Sequence, residues 1–104
     1  MLDWKLLITD AKKAYYNYCY DDAIEVNNHA LMLSKKHFDN IFISNEPEKA
    51  VALVVISYLN IIDSHVAKNK FTSAQILFED IFYFLRDINK RPNKCSFQKA
   101  AIIN

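Results

Sequence analysis

Glycine is absent from all 104 residues of this chain. Glycine supplies the positive backbone dihedrals of tight hairpin turns, so its absence argues against a sheet protein. It also excludes the glycine-rich phosphate loops of nucleotide-binding folds. Helices need glycine only just past their C-terminal ends, where asparagine can replace it. Cysteine is scarce: Cys19 and Cys95 stand 76 residues apart, with no C-x-x-C pair and no disulfide framework. Long apolar runs are missing too. The longest, Ala50 to Ile62, covers 13 residues and includes Ser57 and Asn60, less than a bilayer-spanning helix needs. The opening Met1-Leu2-Asp3-Trp4 is acidic, unlike a secretory leader. A cytoplasmic protein with reduced thiols and no membrane association is the expectation.

The net charge is only +1, which gives no general bias toward nucleic acid. Its distribution is uneven. Residues 86 to 104 carry five basic side chains against Asp87 alone, a net +4, and the preceding 85 residues carry −3. A solvated surface with cations favoured at a helix end is the leading account of this asymmetry, and contact with an anionic partner is the alternative.

Hydrophobic residues make up 52% of the chain, enough for a packed core, and the length fits one domain, 1–104. Leu7, Ala11, Ala14 and Tyr18 share one helical face, with Asp3 as its cap. A second helix starts at Asp21-Asp22 and runs to Ile41 or Phe42, which closes a first hairpin over about 3–42. Ser44-Asn45-Glu46-Pro47 is a loop, with Pro47 at a first helical position. The third helix runs to about Ala67. It is apolar nearly all round, as a central helix would be. In KNKFTSAQ, residues 68 to 75, Asn69 fits a left-handed helix end. Thr72 and Gln75 have capping-box spacing, with Phe71 and Ile76 placed to staple. The fourth helix carries Ala74, Leu77, Phe78, Ile81, Leu85 and Ile88 on one face and closes a second hairpin over about 47–89. Ser96 caps a short C-terminal helix over about 96–103. The expected fold is all-α: two antiparallel helical hairpins and a short capping helix.

The hairpins repeat. Ala11, Ala23 and Ala30 have the same spacings, twelve and seven, as Ile62, Ala74 and Ile81. Tyr20 and Phe71 each precede the shared alanine by three, and Tyr18 corresponds to Asn69. The second hairpin reads Tyr58-x₂-Ile61-Ile62-x₂-His65, then Ala74-x₃-Phe78. This resembles the tetratricopeptide repeat pattern, over roughly residues 4 to 89. The first hairpin departs from it at Asp10 and Asn27, where leucine and phenylalanine are usual. Lys35 and Arg86 stand where the closing proline would. The period is 51 rather than 34 residues, which lengthened helices absorb. The resemblance implies a protein-binding scaffold with a groove on the first helix of each hairpin. By repeat position the groove residues are Lys12, Tyr15, Tyr16, Asn60 and Asp63.

No catalytic constellation competes with that reading. In Asp63-Ser64-His65 neighbouring side chains diverge on a helix, so they form no relay. Glu79 and Asp80 splay apart in the same way. His29 and His37 lie about two turns apart, too far to share a metal ion readily. Neither an enzyme, nor a metal, nor a cofactor is expected. Tyr15-Tyr16 and Phe82-Tyr83 are adjacent aromatics that cannot all face one core, so some belong at a surface or interface. The sequence thus predicts a small adaptor or chaperone-like module that binds another protein or peptide. The alternatives are an obligate helical homodimer with no groove in use, and a small-molecule or metal-binding bundle.

Overall fold

Small residues set the spacing of the helices. The computed structural model describes residues 2–90, as five helices and no strand: α1 Leu2–Tyr16, α2 Tyr20–Lys36, α3 Phe38–Ile43, α4 Pro47–Ala67 and α5 Phe71–Asn89. Ala11 on α1 and Ala23 and Ala30 on α2 are almost wholly buried, which lets α1 and α2 pack closely. α2 packs in turn on α4, and α4 on α5. The order is hairpin, then hairpin, with α2 and α4 between the outer helices. The all-α architecture is as the sequence predicts. The capping helix expected over 96–103 lies outside the described residues.

α4 is the centre of the bundle. It buries Val54, Ser57, Tyr58, Ile61, Ile62 and Ser64 among its neighbours. The 13-residue run alone falls short of a bilayer, but the whole helix is long and apolar enough to cross a membrane by length and composition, and half of that apolar window is buried inside the fold. Two apolar clusters rest against it. One gathers Phe38, Phe42, Val51, Val54, Tyr58, Ala74 and Ile81. The other joins Trp4 and Ile8 to Ala30 and Leu53. Trp4 donates its indole N–H to Ser57 Oγ at 2.8 Å, and Ser57 donates to the Leu53 carbonyl at 2.7 Å. This chain satisfies every polar atom that Trp4 and Ser57 bring into the core. Lys35 Nζ donates to the Tyr58 hydroxyl at 2.6 Å, a second polar tie, here between α2 and α4.

The two hairpin turns are the same structure. Tyr18 and Asn69 both adopt left-handed backbone, with φ of 63° and 61°. Cys19 N–H reaches back to the Ala14 carbonyl and Tyr18 N–H to Tyr15. Fifty-one residues later, Lys70 N–H reaches His65 and Asn69 N–H reaches Val66. Each pair is a complete Schellman closure, and each next helix begins two residues after the left-handed one.

Four local expectations change. α5 begins at Phe71, so Thr72 lies inside its first turn and does not cap it. The Schellman closure leads straight into the helix, and the Lys70 carbonyl already accepts from Ala74 N–H at 3.1 Å. The Phe71–Ile76 staple does not form, since both side chains are exposed. Asp3 likewise lies in the first turn of α1 rather than capping it. The second helix does not run unbroken to Ile41 or Phe42. It stops at Lys36, and His37 (φ −97°, ψ 2°) redirects the chain into α3. The bend aims Phe38 and Phe42 together at the core, with Phe38 set edge-on to Phe84 at 5.4 Å.

Candidate functional site

The C-terminal halves of α1 and α4 flank a cleft whose floor is α2. The cavity there measures about 230 Å³ and is lined by Ala11, Lys12, Tyr15, Tyr16, Asn27, Asn60, Asp63 and Ser64. All five residues expected from repeat position, Lys12, Tyr15, Tyr16, Asn60 and Asp63, therefore line one cavity. α1 contributes the lysine and two tyrosines. α4 contributes Asn60, with Asp63 and Ser64 about one turn further along the same wall.

The floor holds the residue that repeat position did not nominate. Asn27 is 3% exposed, and its Oδ1 has no hydrogen-bond partner among the described residues. Asn60 Nδ2 is likewise buried and unpaired. A buried acceptor and a buried donor, both without partners, are expensive; each costs about 1–3 kcal/mol. Their presence on the walls of one cavity gives it a hydrogen-bonding character that its neighbours do not supply. The signal was visible as Asn27 standing at the position where phenylalanine is usual. Polar at a helix-packing position, it marks either a network or a ligand-facing group.

The tyrosines close one end. Tyr15 is half-buried and meets Tyr16 edge-on at 5.6 Å and Tyr20 at 5.3 Å. Tyr16 is 75% exposed, so its ring is a free apolar surface with a polar tip at the cleft mouth. Lys12 and Asp63 are both exposed and place opposite charges on opposite walls.

The neighbouring polar groups do not join the cleft. Asp63 and Ser64 line it, while His65 lines a different hollow with Asn28, Ile61, Ser73, Ile76 and Leu77. The three consecutive residues diverge, so no relay exists. Burial holds His65 below the usual histidine range; Lys68 and Lys70 add to that effect and Asp21 opposes it. Lys68 pairs with Asp21 across the hairpins, and that hydrogen bond draws the Asp21 carboxyl below its ordinary value. Among the described residues no group of His, Cys, Asp and Glu could hold a metal ion. His29 and His37 face separate hollows. Cys19 is exposed, and Cys95 lies outside the described residues.

No protein-family model, no curated protein and no solved structure matches the chain.

Proposed function

We propose that this chain is a protein-interaction module that takes an extended peptide segment into the cleft between α1 and α4. One observation carries the reading: Asn27 Oδ1 and Asn60 Nδ2, an acceptor and a donor, are buried on the walls of the same cavity without partners among the described residues. A peptide unit presents a donor and an acceptor and answers both. The cavity is smaller than the usual small-molecule site of about 300–1,000 Å³, so a side chain or a peptide unit fits it better than a cofactor. Tyr15 and Tyr16 supply the aromatic contact area that protein interfaces favour. The repeated hairpins and the resemblance to tetratricopeptide repeats support the same reading, with the module acting as an adaptor or chaperone-like scaffold.

The test is a selection of displayed peptides on the full chain, followed by affinity measurement on variants. Peptides that bind the cleft lose about tenfold or more in affinity on Lys12→Glu, Tyr16→Ala or Asn60→Ala, as expected for interface anchors. Selected peptides that bind all three variants as tightly as wild type overturn the assignment.

A further inference from the structure

The 51-residue repeat that relates the two hairpins also predicts what covers α5. In the first hairpin, Tyr20, Ile24, Asn27 and Leu31 form one stripe of α2, and all four are buried or half-buried. α4 lies against this helix; Leu31 joins the cluster built on α4, and Asn27 shares the cleft with Asn60 and Ser64. The equivalent stripe of α5 is Phe71, Gln75, Phe78 and Phe82, and all four are exposed. Phe78 and Phe82 are 61% and 67% exposed. The second stripe is therefore more apolar than the first, and among the described residues no helix covers it.

The stripe has the pattern of a helix-pairing seam. Phe71, Gln75, Phe78, Phe82 and Leu85 follow one another at steps of four and three, as the core positions of a coiled coil do. Ala74, Ile81 and Ile88 flank it on one side and are buried in this chain's own core. The other flank carries Thr72, Glu79 and Arg86, seven residues apart. Glu79 makes no ion pair among the described residues. The Arg86 guanidinium lies over the Tyr83 ring at 4.8 Å, on the outer side of the helix.

That flank is complementary to itself when reversed. We infer that α5 is a homodimerisation surface, on which α5 of a second copy lies antiparallel. In this arrangement Glu79 faces Arg86 of the second copy and Arg86 faces its Glu79. The two pairs are related by a two-fold axis, so the contact closes at two chains. Phe82 meets Phe82 of the second copy at the centre, and Phe78 is covered toward each end; Leu85 stays half-buried against this chain's own core. The cleft between α1 and α4 stays open, so this surface is independent of the peptide site.

Sedimentation equilibrium of the full chain tests the inference. Wild type is expected to be a dimer, and Phe82→Glu, at an exposed site that leaves the helical spectrum intact, weakens it by about tenfold or more. Glu79→Arg and Arg86→Glu each bring like charges together and weaken the dimer several-fold. The double variant restores opposite pairs and recovers wild-type affinity. A wild-type monomer at high concentration overturns the proposal, as does a dimer indifferent to Phe82→Glu. A double variant no tighter than the single variants overturns the antiparallel pairing.

Discussion

Tyr18 and Asn69, 51 residues apart, hold the same left-handed backbone within the same pair of Schellman hydrogen bonds. Asparagine tolerates that conformation; a tyrosine does not, and Tyr18 has its side chain 81% exposed, with little packing to offset the strain. The first turn thus carries a local cost that the fold imposes. Left-handed backbone costs an L-residue about 1–2 kcal/mol. Tyr18→Gly is expected to raise stability by about 1 kcal/mol, and Asn69→Gly by less. Urea midpoints of the two variants check this, and a destabilised Tyr18→Gly would refute it.

The Trp4–Ser57 hydrogen bond predicts an asymmetric pair of substitutions. Ser57→Ala strands the buried indole N–H and is expected to cost about 1–3 kcal/mol. Trp4→Phe leaves Ser57 still bonded to the Leu53 carbonyl, so its cost comes from lost ring volume alone. A double-mutant cycle, followed by circular dichroism, should give a coupling of about 1 kcal/mol. Additive costs would mean the bond contributes nothing.

Acid should weaken the fold through His65. Burial is the largest cause of its lowered pKa, so the unfolded chain takes up the proton first as pH falls. The contribution of the neutral imidazole is complete above the unfolded value of about 6.5 and is lost as pH drops through the lower folded value. The slope stays below one proton, about 1.4 kcal/mol per pH unit. His65→Phe should flatten stability across this window. Asp21, also lowered, acts in the same direction at more acidic pH, around and below its ordinary 3.8. An unchanged pH profile in His65→Phe would place the acid sensitivity elsewhere.

Much of this fold is written in short-range signals. Helical periodicity and the alanines at 11, 23, 30 and 74 mark both hairpins, and Asn69 marks a helix end, because each depends on local geometry. The break at His37 has no glycine or proline to announce it. It follows from what Phe38 and Phe42 gain by reaching the core together, a tertiary effect. Thr72 misleads for a related reason: the Schellman closure starts α5 earlier than its side chain could. The residues nominated by repeat position, Lys12, Tyr15, Tyr16, Asn60 and Asp63, line the cleft. The floor residue is not among them. Asn27 reads as a defect in the pattern until burial shows its amide unpaired beneath the cavity.

The most direct measurement concerns that amide. If Asn27 is kept polar for a bound peptide, replacing it relieves a cost and removes a contact at once. Asn27→Leu is expected to stabilise the free chain by about 1 kcal/mol, by removing a buried unpaired group. The same variant should bind cleft-selected peptides at least about tenfold more weakly. Paired measurements of urea stability and peptide affinity decide it. Higher stability with lost binding is the predicted result. Lower stability, or undiminished binding, would contradict a peptide site at the cleft between α1 and α4.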